Sequence, residues 1–135
     1  MTKLFHITKF LLPAILWAIF IYTLCLSSNG GFKSDLIFGI STDKLGHAFI
    51  FSVLVFFIMQ GLSKYWRFPF LINKIRWIAV IVSIVYAVVI EIVQHYCTVD
   101  RIGDYWDLIA DIIGCFAGLL MFHSVYGNLK FMEDN

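Results

Sequence analysis

Four long apolar blocks constrain the fold of this chain more than any other feature of its sequence. They cover residues 10–26, 46–63, 77–96 and 108–126. Each approaches the roughly 20 apolar residues that a helix needs to cross the hydrocarbon core of a bilayer. The segments between the blocks hold nearly all of the charged residues. We therefore predict an all-α fold, a four-helix transmembrane bundle with short loops that forms one domain over residues 1–135.

The composition indicates the same class of protein. The chain is 61% hydrophobic and only 14% charged, with a mean hydropathy of +0.87. A soluble domain of this size would need far more charge to cover its surface. The net charge is only +1 and no basic face is present, so we expect no nucleic-acid partner. Membrane lipids are the expected surroundings.

The first apolar block has a second interpretation, as a cleaved signal peptide, because Lys3 and Lys9 precede it. No A-x-A-like cleavage site follows, and the block is long for a signal peptide. We therefore expect it to remain as a membrane span. The chain has three cysteines, and they lack the spacing of a metal or redox motif. No cofactor is expected from them.

The distribution of basic residues predicts how the bundle is oriented. Seven of the ten lie in the N-terminal tail, in the segment between the second and third blocks, and in the C-terminal tail. Lys33, Lys44 and Arg101 are the other three. Segments rich in Lys and Arg stay in the cytoplasm, so we predict that both termini are cytoplasmic. Residues 28–45 and 97–107 would then lie outside.

Ionisable residues inside the blocks are predicted to meet at one depth. Counting at 1.5 Å per residue places Glu91, Asp111 and His47 about 21–24 Å from the cytoplasmic ends of their helices. The polar residues expected just outward of them are Asp43, Lys44, Gln94, Arg101, Asp104 and Asp107. A charge facing lipid costs about 2.5–3.5 kcal/mol at the bilayer centre. These groups should therefore face one another, in a polar pocket open to the outer face.

Helical spacing supports this pocket, although a simpler interpretation exists. Asp43 and His47 are four residues apart, and Glu91 and Gln94 are three apart, so each pair shares a helix face. One helical stripe is formed by four residues at intervals of three, three and four: Arg101, Asp104, Asp107 and Asp111. In the simpler interpretation, Asp104 or Asp107 only caps the fourth helix at the membrane interface.

Gly114 and Gly118 form a small-xxx-small pair in the last block. Such a pair allows close helix packing, so an oligomer could form through the face that carries these two glycines.

Three motifs together resemble the VanZ-like family of bacterial membrane proteins. They are DKLGH at residues 43–47, EIVQ at residues 91–94 and RIGDYWDLIADIIG at residues 101–114. The resemblance extends from Pro13 to Gly118. Asp111 stands where the family pattern has Asn, so it either titrates, pairs with Arg101 or Lys44, or changes the ligand preference.

The resemblance implies a multi-pass protein of the bacterial cytoplasmic membrane with a role in the cell envelope. The family is named for a protein that lowers susceptibility to the glycopeptide antibiotic teicoplanin. One hypothesis is an enzyme that acts on a lipid-linked or cell-wall substrate. Its catalytic candidates are Glu91, His47, Asp104 and Asp107, with Glu91 as general acid or base and His47 as proton carrier. Its binding candidates are Asp43, Lys44, Gln94, Arg101 and Asp111.

Two other hypotheses fit the same residues. The pocket could be a non-catalytic site that binds or transports an anionic lipid headgroup or an amphiphile. Alternatively, the charges could form a structural ion network that fixes the helix register. A hydrolytic metal site could be formed by His47, Glu91 and Asp107. The sequence contains no complete metal signature, so we predict no metal site.

Overall fold

The computed structural model describes residues 2–26, 36–37, 40–65, 72–97 and 105–126. Its four helices are α1 (Thr2–Leu26), α2 (Thr42–Tyr65), α3 (Ile72–Cys97) and α4 (Tyr105–Tyr126). Two short strands, β1 (Leu36–Ile37) and β2 (Ile40–Ser41), pair antiparallel ahead of α2. The predicted all-α class is confirmed, and the small strand pair, which was not predicted, leaves it unchanged.

Each helix contains a stretch long and apolar enough to cross a membrane. Such helices satisfy their backbone hydrogen bonds internally, which the hydrocarbon core requires. Large apolar side chains also point away from the bundle, for example Leu16 on α1, Val85 on α3 and Leu120 on α4. An exposed apolar surface of this kind suits contact with lipid tails rather than water.

Hydrogen bonds between helices define their relative directions. Trp17 of α1 donates to the carbonyl of Ile50 in α2, and Tyr86 of α3 donates to the carbonyl of Ala18 in α1. Gln60 of α2 donates to the hydroxyl of Tyr126, at the end of α4. A second contact in each pair fixes the direction: Gln94 with Cys25 in α1–α3, Lys44 with Asp107 in α2–α4, and Gly61 with Phe10 in α1–α2. The contacts advance in the same direction along α1 and α3 and along α2 and α4, and in opposite directions along α1 and α2. The helices therefore run alternately up and down.

The helix α2 is the centre of the bundle. It packs against α1, α3 and α4, and its contact with α4 is the most extensive in the bundle. Its side chains Phe51, Val55 and Met59 are almost fully buried. Because α2 touches all three other helices, it fixes where their polar residues lie.

Two glycines let α4 approach α2 closely. A Cβ atom on Gly114 would collide with the backbone of Ala48, and one on Gly118 would collide with the carbonyl of Ser52. This corrects the expected use of the glycine pair as an oligomer contact. The face that carries both glycines is occupied by α2 of the same chain, so contact with a second copy would need another surface.

Candidate functional site

The first two turns of α2 carry three of the predicted site residues. The apolar block was predicted to begin at residue 46, but the helix begins at Thr42. Asp43 and Lys44 therefore belong to the helix rather than to a loop. Asp43 and His47, four residues apart, lie on the face that meets α4.

The start of α4 supplies the opposing face. Asp107 lies in its first turn and Asp111 one turn later. Because α2 and α4 run parallel and start at the same end, residues four apart on one helix lie opposite residues four apart on the other. We call this group the α2–α4 site, and it consists of Asp43, Lys44, His47, Asp107 and Asp111.

The outer turn of the site contains an ion pair. Lys44 Nζ lies 3.0 Å from Asp107 Oδ1 and donates a hydrogen bond to it. The two side chains are 31% and 14% exposed, so water or a polar ligand can reach them. Because the pair is only partly buried, a polar ligand could compete for either partner.

One turn deeper, His47 and Asp111 form a pair that is almost fully buried. Nδ1 of His47 lies 3.0 Å from Asp111 Oδ1, and the side chains are only 2% and 1% exposed. An ionised carboxylate can only accept, so Nδ1 carries the proton that is shared with Asp111. In a neutral imidazole, the lone pair then lies on Nε2. The carboxylate thus fixes both the orientation and the tautomer of the ring.

The partner of Asp111 differs from the sequence interpretation, which offered Arg101 or Lys44. Both His47 and Asp111 lie one turn inside the Lys44–Asp107 pair, and this common offset brings them together. Arg101 and Asp104 lie outside the described residues, so their predicted roles remain predictions.

Three residues of the site could hold a metal ion. Asp43, His47 and Asp107 each offer a ligand atom, and these atoms lie within 4.8 Å of one another. The sequence interpretation had weighed Glu91 as the partner of His47 and Asp107. Among the described residues, the group contains Asp43 in its place.

The two predicted site residues of α3, Glu91 and Gln94, are not part of the α2–α4 site as defined above. Gln94 is buried and donates to the carbonyl of Cys25, 2.9 Å away near the end of α1. Its described bond therefore joins α3 to α1 rather than contributing to the α2–α4 site. Glu91 is half-buried, next to the fully buried Ile90.

The sequence did not single out Tyr86 or Trp17, whose polar atoms bond across helices to backbone carbonyls. An aromatic residue within an apolar block carries no signal that separates such a bond from simple core packing.

Comparisons with known proteins place the chain in a family. The VanZ/LLP1 family model matches residues 2–126, which is nearly the whole chain. No curated protein and no solved structure matches it. The match covers all four helices and both halves of the α2–α4 site. The chain therefore belongs to the VanZ/LLP1 family of membrane proteins.

Proposed function

We propose that this protein acts at the outer face of the bacterial cytoplasmic membrane. There, the α2–α4 site would bind and modify the polar part of a lipid-linked or cell-wall substrate. The result for the cell would be lower susceptibility to glycopeptide antibiotics such as teicoplanin, as the family name implies. The observation that carries this proposal is the buried His47–Asp111 pair.

The pair is hard to explain as packing alone. Ionisable groups in a membrane span are costly, and they usually mark a substrate or proton path. Gly114 and Gly118 already let α2 and α4 approach closely, so the helices need no buried charge to associate. A neutral or apolar pair of similar volume would be at least as stable in many proteins.

The chemistry of the pair favours a reaction over simple recognition. A carboxylate that holds Nδ1 of an imidazole leaves Nε2 as the reactive position, as in many hydrolases and transferases. Asp111 then acts as a positioning residue, while His47 faces Asp43 and Asp107. Lys44 could bind a phosphate or carboxylate of the substrate in place of Asp107. Glu91, Arg101 and Asp104 remain candidate members of the site.

The outer location rests on the excess of basic residues at the opposite end of the bundle. Cys97 provides a direct test, because it is exposed at the site end of α3 while Cys25 and Cys115 are buried. A membrane-impermeant maleimide should label Cys97 in intact cells. Labelling only after the cells are opened would place the site in the cytoplasm and overturn the proposal.

The functional test compares susceptibility to teicoplanin and vancomycin in a sensitive Gram-positive host. The key variant is His47→Asn, whose side-chain amide can still donate to Asp111 but has no equivalent of Nε2. Gln60→Leu is a matched control, because it removes a polar group that also joins α2 to α4, through Tyr126 at the opposite end of the bundle. Protein levels in the membrane are measured for all variants.

If the wild type and the Gln60→Leu variant protect at matched levels and His47→Asn does not, the result supports the proposal. Protection by His47→Asn equal to that of the wild type would exclude a reaction at Nε2 and favour a binding protein. A loss of membrane protein in His47→Asn alone would favour a structural ion network.

A further inference from the structure

The α2–α4 site brings together a set of side chains that suits a metal ion. Asp43 and Asp107 offer carboxylate oxygens and His47 a ring nitrogen, all within 4.8 Å of one another. We propose that these three side chains bind one divalent transition-metal cation of the Zn²⁺ or Mn²⁺ kind, with Asp111 as a positioning residue. This inference rests on the proposed function, because it names the group that the same site would use.

The types and spacing of the ligands support this class of cation. Imidazole suits Zn²⁺ and related ions, and carboxylates also suit Mn²⁺. Ligand atoms about 2.1 Å from a tetrahedral ion lie about 3.4 Å from one another. Because Asp43 and Asp107 are only half-buried, small rotations of their side chains could bring the three atoms to this spacing.

The buried Asp111 supplies an independent reason to expect a ligand at His47. Metal-binding histidines usually donate their other ring N–H to a carboxylate, which orients the ring and increases its basicity. The hydrogen bond between Nδ1 of His47 and Asp111 matches this pattern. It leaves the lone pair of Nε2 available to a second partner.

Parallel helices make this arrangement possible. Two residues four apart on α2 face two residues four apart on α4. The helix α2 therefore supplies the ligands Asp43 and His47. The helix α4 supplies the ligand Asp107 and also Asp111, which positions His47. Metal sites in helical bundles are built in the same way, from inward-facing side chains on neighbouring helices.

The charge of the site also favours a cation. Among the described residues, it contains the carboxylates of Asp43, Asp107 and Asp111 and the ammonium of Lys44. The three carboxylates attract a cation, and the ammonium of Lys44 opposes its entry.

Lys44 gives the proposal a distinctive property. Its ammonium is bonded to Oδ1 of Asp107, so it competes with a metal ion for the same carboxylate. Removing this positive charge should therefore strengthen metal binding. A purely structural ion pair predicts no such gain.

Three protein ligands leave a coordination position for water or a substrate oxygen, as in catalytic zinc sites. The partly exposed Lys44–Asp107 pair lies at the accessible edge of the site. The metal would thus be reached from the same side as a polar substrate.

The experiment uses the full chain, purified in detergent and stripped with chelator, in a Cys97→Ser background that removes an exposed thiol. Zn²⁺ and Mn²⁺ are titrated separately by calorimetry, and the bound metal is counted by elemental analysis. We expect one ion per chain. The variants Asp43→Asn, Asp107→Asn and His47→Asn should each bind more than about 100-fold more weakly. Gln60→Leu, which removes the hydrogen bond to Tyr126 at the other end of the α2–α4 interface, should bind like the parent.

Two further variants test the assigned roles. Asp111→Asn should weaken binding by about 10–100-fold, as expected for a group that orients a ligand. Lys44→Gln should strengthen binding. The absence of stoichiometric binding to the parent protein, or unchanged binding in both Asp43→Asn and Asp107→Asn, would overturn the proposal. Weaker binding in Lys44→Gln would contradict the competition with Asp107.

Size-exclusion profiles and thermal unfolding identify variants that fail to fold. If any variant fails, the decision rests on Asp43→Asn and Asp107→Asn, because these substitutions preserve the shape of the side chain. The outcome is separable from that of the susceptibility test. Protection that depends on His47 in a protein that binds no metal would leave the proposed function intact and exclude the metal site.

Discussion

Two interfaces of this bundle, α2–α4 and α1–α3, join parallel helices with polar contacts of different kinds. In α2–α4, charged side chains pair with each other, as in Lys44–Asp107 and His47–Asp111. In α1–α3, neutral side chains bond to backbone carbonyls, as Gln94 does to Cys25 and Tyr86 to Ala18. Of these four described contacts, those in α2–α4 each pair an acid with a base, and those in α1–α3 do not.

The difference shows that helix architecture explains the contact of Gln94 with Cys25, whereas it does not explain the α2–α4 contacts. Cys25 is the next-to-last residue of α1, so its carbonyl has no partner within the helix. Gln94 satisfies this carbonyl, as a helix end in a membrane requires. The bond between His47 and Asp111 satisfies no backbone group. A functional role is therefore the better explanation for this buried pair.

The largest effect is expected from Gly114→Leu, which breaks the close approach of α2 and α4. The new side chain would collide with the backbone of Ala48, and overpacking of this kind costs about 3 kcal/mol. We expect little folded protein in the membrane, measured by yield and thermal unfolding in detergent. Ala117→Leu, on the exposed side of the same helix, is the control and should be tolerated. Similar yields for the two variants would contradict the proposed packing.

The next largest effect is expected from Asp111→Ala, which leaves the buried Nδ1–H of His47 without its acceptor. Such a loss costs about 1–3 kcal/mol. Asp111→Asn should be much milder, because its amide oxygen can accept the same hydrogen bond. Thermal unfolding of the two variants compares them directly. Equal destabilisation would show that the charge of Asp111, rather than its hydrogen bond, supports the fold.

A smaller loss, about 1 kcal/mol, is expected from Gln94→Leu. The substitution keeps a side chain of similar volume but removes the hydrogen bond to the carbonyl of Cys25. The unfolding temperature should fall slightly, while any antibiotic protection and metal binding stay at the wild-type level. A selective loss of protection at normal protein levels would instead place Gln94 in the functional site, as the sequence suggested.

The smallest effect is expected from Tyr86→Phe, about 0.5 kcal/mol. Ala18 lies well inside α1, so its carbonyl already accepts a hydrogen bond within the helix. Removing the hydroxyl of Tyr86 therefore orphans no buried group. If the unfolding temperature fell further in Tyr86→Phe than in Gln94→Leu, the hydrogen bond of Tyr86 would be the more important of the two in the α1–α3 interface.

The sequence predicted the helices well because each membrane span is a local signal. The apolar blocks located all four helices, and the four-residue spacing correctly placed Asp43 and His47 on one face. The start of α2 was placed four residues too late, because Asp43 and Lys44 interrupt the apolar pattern without interrupting the helix.

The pairing of the site residues could not be predicted, because it depends on how each helix is rotated about its axis. Matching depths suggested that Glu91 and Gln94 would join His47 and Asp111. Depth alone did not reveal the bond that Gln94 makes to the end of α1. Similarly, Asp111 meets His47 because the two glycines of α4 fix its register against Ala48 and Ser52.

The central position of α2 also bears on how relatives of this protein can diverge. In the span of α2, 61% of the residues are buried, compared with 17% in that of α1. Outward positions on α1 need only remain apolar, so drift among Leu, Ile, Val and Phe should be nearly neutral there. Inward positions on α2 must fit three neighbours at once, and each change would require compensation on another helix. Sequence variation in the family should therefore concentrate on α1, and α2 should evolve slowest.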